Sequence, residues 1–427
     1  MDCLERFLTF AEQAPTAFQA IALFRKELEE KGFRELRETD PWLVDAGGRY
    51  YVVRNGSSLI AFTVPQSGFS AFRIAAAHSD SPAFKLKPCF EDPAEGAYIR
   101  LNVEKYGGMI MSTWRDRPLS IAGRVIVRNG DAVESRLVDL DRDTVLIPNM
   151  PIHFNRQIND GYAFNPQVDL LPLYGEAGAS GKLMEEIAEN AGVKKEDILS
   201  HDLFLYSRQP ASVWGADDAF FSCQRIDDLE CAWGAVTAFA DSEGRDSVNV
   251  CAVFDNEEVG SGTKQGADSG FLYDTLTRLG FALGASDGEI RAAVAGGFMV
   301  SADNAHAVHP NHPEKYDKQN RVYMNRGIVI KHNANQKYTT DAVSDAVFSL
   351  VCEKAGVPVQ HFTNRSDIPG GSTLGNISNS HVSMNTVDIG LAQLAMHSAC
   401  ETAGTKDPEY LISALKAFWE QELPIVK

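Results

Sequence analysis

The sequence predicts an α/β protein, with helices flanking a mostly parallel or mixed sheet and a β-rich insertion inside that framework. Three observations carry the prediction. Strand-like apolar runs alternate with helix-compatible ones beyond residue 220, the alternation lapses over residues 88–220 in favour of hairpin chemistry, and polar reactive residues sit where buried strands end. At 427 residues the chain also exceeds the roughly 250–300 at which a single core stops growing, so it has room for two domains.

Taken in order, Thr16 is a suitable N-cap, after which Ala17, Ala20, Ile21, Phe24 and Leu28 share one helical face until Gly32, which suits the position past a helix end. The chain is therefore expected to start on an amphipathic helix. Residues 59–64 and 72–77 read as apolar strands, and the second runs straight into His78-Ser79-Asp80. Ligands bind just beyond strand ends in open α/β sheets. Within residues 88–220, the run 124–128, Asn129-Gly130 and the run 133–140 form a hairpin signal, because Asn-Gly supplies the positive φ of a type I′ turn. Further on, strand-like runs at 248–254, 298–301, 328–331 and 382–389 alternate with helix-compatible runs at 231–240, 270–283, 338–354 and 391–403.

Composition narrows the function. The chain is 44% hydrophobic and 23% charged with a net charge of −18, and it has no run of Lys or Arg. Nucleic acid and anionic membrane are unfavourable partners for such a polyanion. The N-terminal residues lack a basic segment followed by an apolar one, and no apolar run reaches about 18 residues, so neither export nor a membrane span is expected. Seven scattered cysteines without a C-x-x-C pair read as buried thiols of a reducing, cytoplasmic compartment.

Several familiar signatures are missing. There is no H-E-x-x-H or G-x-S-x-G; Gly260-Ser261-Gly262 reaches Gly266 with one residue too many for G-x-G-x-x-G; Gly181-Lys182 lacks P-loop spacing and its Ser or Thr. What remains is a set of acids and histidines at strand ends and tight turns: His78 with Asp80, Asp227 with Asp228, Asp255 with Glu257 and Glu258, Asp303 with His306 and His309, and His397. Singly, each has an ordinary structural explanation. Glu257-Glu258, however, follows an apolar strand directly, and two carboxylates at a strand end point to opposite sides, one available to a metal and one to a substrate. Imidazoles with several carboxylates suit a pair of divalent ions, zinc first, with cobalt or manganese also possible. A bridging carboxylate holds such ions about 3.5–4 Å apart, where they acidify a shared water and polarise a carbonyl, while an unliganded Glu moves the proton to the leaving amine.

A series of segments makes the arrangement specific: Pro15-Thr16-Ala17-Phe18, Ala77-His78-Ser79-Asp80-Ser81-Pro82, Ile147-Pro148-Asn149-Met150-Pro151-Ile152-His153, Arg225-Ile226-Asp227-Asp228-Leu229, Asp255-Asn256-Glu257-Glu258-Val259-Gly260-Ser261, Ser301-Ala302-Asp303-Asn304-Ala305-His306, Gly370-Gly371-Ser372-Thr373-Leu374-Gly375 and Ala395-Met396-His397-Ser398. In order and number these resemble the M18 metallo-aminopeptidases, over most of the chain. The resemblance implies a three-layer α/β/α zinc-peptidase catalytic domain made of residues 1–87 and 221–427, and a β-rich inserted dimerisation and lid domain at 88–220. It implies one metal held by His78 and Asp303, a second by Glu258 and His397, Asp227 bridging, Glu257 as general base, and Asp80 orienting His78 through its second ring nitrogen. Dimers assembling into a hollow dodecamer are implied as well, with His153 reaching a neighbouring subunit's active site.

On the substrate side, Lys331 matches the segment lining the pocket for the first side chain, where a cation would pair with a substrate Asp or Glu; an ordinary surface lysine is the other reading. Tyr338 either donates to the oxyanion of the tetrahedral intermediate or packs a helix start. His306, His309 and His312 are expected in a loop, since Pro310 and Pro313 break any helix that would align them, with Asp303 the only ligand there. Gly370-Gly371 either offers backbone N–H groups to substrate or only turns the chain. Two departures stand out: Asp228 stands where the family usually has Asn, and Gly370-Gly371 where it often has Cys. The expected activity is release of N-terminal residues, acidic ones first, from small peptides with a free N-terminus. A related metallo-deacylase, an aminopeptidase of neutral or basic preference, and a metal-stabilised assembly protein are the alternatives, the last disfavoured by Glu257.

Overall fold

The structure is a computed structural model and describes residues 2–68, 70–244 and 246–423. Its centre is a nine-stranded mixed sheet of β1 (Arg34–Glu35), β2 (Arg49–Arg54), β3 (Ser58–Thr63), β4 (Phe72–His78), β5 (Val248–Phe254), β6 (Phe298–Ala302), β7 (Ile328–His332), β8 (Val359–Thr363) and β9 (Asn385–Gly390), in the spatial order β1-β2-β3-β5-β4-β6-β9-β7-β8. The middle strands β5, β4, β6 and β9 are parallel, whereas β3 and β7 run antiparallel to their neighbours β5 and β9.

Both faces of the sheet are covered, which is why its strands read as unbroken apolar runs. Alternate residues go to opposite sides: Leu59, Ala61, Ala75 and Val253 pack with helices α1 (Cys3–Gln13), α2 (Ala17–Glu30), α3 (Ile226–Ala240), α6 (Ala342–Ala355) and α7 (Asp407–Glu420). Ile60, Phe62, Ile74 and Ala252 pack with α4 (Phe271–Ala282) and α5 (Asp287–Ala295). This is the three-layer α/β/α architecture. Helix α3 is buried along its whole length, so its acidic first turn is carried into the interior beneath the strand ends.

A separate six-stranded antiparallel sheet is built from strands lying between residues 83 and 207. It has its own core, where Phe84, Leu101, Trp114, Ile121 and Leu203 meet Leu183 and Ile187 of the helix Lys182–Ala191. The expected hairpin is present but turns one residue later: Asn129 pairs with Ala132, and Gly130 alone has the left-handed φ of 61°, as in a type II′ rather than a type I′ loop.

Other expectations needed correction. A helix, α1, precedes the one capped by Thr16, closed by a capping box between Asp2 and Glu5. The run 391–403 is not helical. It forms the strands Ala392–Leu394 and Glu401–Gly404, which join Ser212–Trp214, Phe220–Cys223 and Ala305–His306 in a five-stranded sheet. Between those two strands Ala395 and His397 take left-handed φ values of 56° and 68°, so the apolar spacing that mimicked a helix belongs to a strand, a turn and a strand. Helix α6 begins only at Ala342, because Asp341 accepts the N–H groups of Val343 and Ser344. Not all thiols are buried: Cys89 is exposed, and Cys3 and Cys400 are half-buried. Among the described residues no helix is long and apolar enough to cross a membrane.

Candidate metal centre

Three neighbouring parallel strands deliver polar residues to one edge of the main sheet. His78 ends β4 in register with Phe254 of β5, after which the chain turns through Asn256 (φ 63°) into a short 3₁₀ turn, Glu257–Val259; β6 ends at Ala302 beside Asp303. The two glutamates therefore sit in a turn past the strand end and bring carboxylate oxygens to the same group with His78, rather than pointing to opposite sides as strand alternation predicts. From beneath, the first turn of α3 supplies Asp227 and Asp228, and from the side the turn after Ala392–Leu394 supplies His397.

These side chains converge. The donor atoms of His78, Asp227, Asp228 and Asp303 lie within 4.8 Å of one another, as do those of Asp227, Glu258 and His397, and those of His78, Glu257 and Glu258. Asp227 belongs to two of these three groups: its Oδ2 is 3.1 Å from His397 Nε2, and its Oδ1 is 3.7 Å from His78 Nε2. The same imidazole of His397 lies 3.3 Å from Glu258 Oε1.

The donors are held from behind. His78 Nδ1 faces Asp80, 3.1 Å from its carbonyl and 3.4 Å from its carboxylate. That carboxylate also accepts the N–H groups of Glu257 and Glu258 at 3.1 Å each and the Tyr106 hydroxyl at 2.6 Å, so one aspartate orients both the histidine and the glutamate turn. Glu401 does the same on the other side, accepting the N–H of Asp227 at 3.0 Å and that of His397 at 2.6 Å. Ser81 donates to the Asp227 carbonyl at 2.6 Å, and the guanidinium of Arg225 donates to the carbonyls of Ala14 and Ser79. Gly390 is required by close approach, since a Cβ there would stand 2.0 Å from the carbonyl oxygen of Asp303.

The charge in this pocket is not self-sufficient. Asp227 Oδ1 and Asp228 Oδ1 are buried and accept no hydrogen bond among the described residues. Burial pushes the Glu257 carboxyl up to about 9 and that of Glu258 to about 7, and it raises Asp303 and, strongly, Asp228. Burial opposes the charged form of His78 and His397, yet the surrounding carboxylates outweigh it and raise both, His397 to about 11. Acids raised by burial beside histidines raised by neighbouring carboxylates mark a place where buried negative charge calls for cations. Orphaned carboxylate oxygens and imidazole nitrogens form the donor set of zinc-class ions, so the residues fit such a metal.

The remaining sequence candidates are placed as follows. Lys331 is 2% exposed, which overturns the surface-lysine reading: its Nζ donates to the Asp303 carbonyl at 2.7 Å, lies 3.7 Å from Asp303 Oδ1, and sits over the Tyr338 ring. Burial disfavours its charge, but Asp303 and Tyr338 more than compensate and raise its pKa. Tyr338 is buried with Val329, Phe362 and Ala392. His153 lies outside the cluster, exposed in a turn of the inserted region. His306, His309 and His312 are outside the ligand groups; His306 and His309 line a cleft with Tyr316 and His397. Thr373, next to the Gly370-Gly371 turn, donates to Asp388 at 2.7 Å.

Sequence reading missed Glu401, which accepts the N–H groups of Asp227 and His397, and Tyr106, which donates to Asp80 behind His78. An acid following Ala399-Cys400, four residues past His397, was the available signal for Glu401.

Comparison with known proteins places the whole chain in one family. The family described as "Aminopeptidase I zinc metalloprotease (M18)" matches residues 10–419. A probable M18 family aminopeptidase 2 of Clostridium acetobutylicum is 44% identical over 98% of this chain and 99% of its own length. One from Pseudomonas aeruginosa is 42% identical over 98% of both. Among solved structures, the chain of an Ape4 and Nbr1 complex superposes with a TM-score of 0.95 at 34% identity, covering 98% of this chain and 85% of that one. The S. cerevisiae mApe1 dodecamer superposes with a TM-score of 0.86 at 28% identity, covering 98% and 96%. With a whole-chain family match and relatives this similar, the chain belongs to the M18 family of zinc metallo-aminopeptidases.

Proposed function

We propose that this chain releases N-terminal residues, Asp or Glu first, from small peptides, using a dinuclear centre. The observation that carries the reading is that Asp227 belongs to two donor groups at once, one with His78 and Asp303 and one with Glu258 and His397. Two divalent ions held there, zinc first with cobalt or manganese possible, would polarise the scissile carbonyl and make a water acidic enough to attack it.

Glu257 is the general base. It takes the proton of the attacking water as the C–O bond forms and gives it to the leaving amine as the C–N bond breaks. Burial disfavours the ionised form of its carboxyl while cations beside it would favour that form, which suits a group that must both take the proton and return it. Asp80 keeps Glu257 in reach through its backbone N–H and keeps His78 aimed. Buried carboxylates surround the centre with negative potential, which favours a free α-ammonium group over an acylated one. Lys331 places a positive charge 3.7 Å from Asp303 Oδ1, the basis for expecting an acidic first side chain, and Tyr338 beneath it is the candidate donor to the oxyanion.

Residues 88–220 form the dimerisation and lid domain in this reading, and the chain assembles as a homo-oligomer, as the mApe1 dodecamer does. Exposed Met150, Ile152 and Phe154, the last 81% exposed, flank His153 and suit an interface that brings it to a neighbouring site. The unpaired cysteines suit the cytoplasm.

Initial rates on peptides beginning with Asp, Glu, Leu or Lys, free and acetylated, with zinc, cobalt, manganese or chelator, test the reading. Fast metal-dependent release from free Asp and Glu termini is expected. Preference for Leu or Lys discards the role of Lys331, and turnover of acetylated substrates alone replaces the aminopeptidase by a deacylase.

A further inference from the structure

A second cluster of metal-type donors stands apart from the centre, on the opposite face of the same strand. In β7, Lys331 turns toward Asp303 while its neighbour His332 turns to the other face, the one covered by α6. In the register of β7 with β8, Ile330 pairs with His361 and His332 with Thr363, so His332 and His361 share that face as diagonal neighbours. Asp345, in the first turn of α6, reaches down between them: its Oδ2 is 3.0 Å from His332 Nε2 and its Oδ1 is 3.1 Å from His361 Nε2.

We propose that His332, Asp345 and His361 bind a separate zinc-class divalent cation at the rim of the sheet. Their donor atoms lie within 4.8 Å of one another, and the imidazole rings are 5.7 Å apart and inclined by 33°. A tetrahedral ion with bonds of about 2.0–2.1 Å needs its donors roughly 3.3 Å apart; each imidazole stands near that distance from a different oxygen of Asp345, so an ion would meet the carboxylate between the two rings. Two imidazoles and one carboxylate favour zinc, cobalt or nickel over calcium or magnesium, which prefer all-oxygen sites. Ser349 donates to Asp345 Oδ1 at 2.9 Å and so orients the carboxylate, as an outer partner does for a ligand. The side chains of His361 and His332 are 46% and 28% exposed, so an ion has a direct path in.

An ion here would tie β7, the edge strand β8 and the start of α6 at one point. It would sit one residue from Lys331, on the far face of the strand that carries it. It belongs to neither donor group of the centre and does not depend on the reaction proposed for that centre.

The test is a count of metal. Wild-type chain, His361→Ala, Asp345→Asn and, as a control, His381→Ala, an exposed histidine paired with Asp268, are stripped by chelator, dialysed against a zinc buffer at micromolar free ion, and assayed by atomic absorption. The first two variants are expected to hold about one equivalent per chain less than wild type and the control. Because the readout is a difference, it stands whether the centre at Asp227 holds one ion or two. Equal zinc in all four proteins, or a loss in His361→Ala that Asp345→Asn does not share, overturns the site and leaves a hydrogen-bonded cluster only.

Discussion

The two histidine–carboxylate clusters of this sheet solve the same electrostatic problem differently. Around Asp227 most donors are buried, Asp227 Oδ1 and Asp228 Oδ1 accept no hydrogen bond among the described residues, and burial drives Asp228 and Glu257 toward their protonated forms. Around Asp345 both carboxylate oxygens are taken by His332, His361 and Ser349, and the carboxyl stays ionised. Buried, unpaired charge is costly, so the interior cluster requires cations, whereas the rim cluster only admits one. The interior ions should therefore be held tightly and the rim ion exchanged readily, and graded dialysis should release rim zinc first.

The comparison breaks most sharply under chelation, which is expected to reduce peptide hydrolysis to background and to lower the melting temperature, both restored by zinc. Activity that survives full removal of metal would remove the distinction altogether. Glu257→Gln should lower kcat by about 10²–10⁴-fold while metal content stays at the wild-type level, since a general base and not a ligand has been lost. Atomic absorption beside the rate decides this, and a parallel loss of zinc would make Glu257 a ligand instead.

Smaller effects sharpen the contrast. Glu401→Gln leaves an amide N–H facing a backbone N–H, and loosening of Asp227 and His397 should weaken metal affinity by about 10–100-fold. Titration with a competing chelator measures it, and the rim equivalent should be unaffected. Lys331→Met removes the cation beside Asp303; breaking a buried pair costs about 3–5 kcal/mol when nothing replaces the charge, so the metal-free chain should melt markedly lower and zinc should recover part of the loss. Preference for Asp over Leu termini should narrow in the same variant.

Much of the centre was legible beforehand because its residues stand at strand ends, and strand ends are written in the sequence. His78 and Asp303 follow apolar runs, and Glu257-Glu258 follow another. His397 was legible as a residue but not in its setting: Leu391, Ala392, Leu394 and Ala395 fit helical spacing, and only pairing with the 305–306 and 401–404 strands makes them a strand and turn. Asp345 and His361 carried no signal at all. Each is an ordinary polar residue on its own element, and their meeting depends on where α6 lies over β7 and β8.

The sequence by itself determined the alternation of helix and strand, the β-rich character of the insertion and the chemical identity of the central donors, because period and residue type are local properties of the chain. Tertiary structure decided which donors share Asp227, that Lys331 is buried against Asp303, and that Asp80 and Glu401 hold the clustered side chains from behind. Those facts depend on strand order, with β4 between β5 and β6, and on the depth of α3. Contacts between residues far apart in the chain, such as His78 and Asp227, arise only when the sheet has closed over its helices and excluded the water that would otherwise satisfy each charge separately.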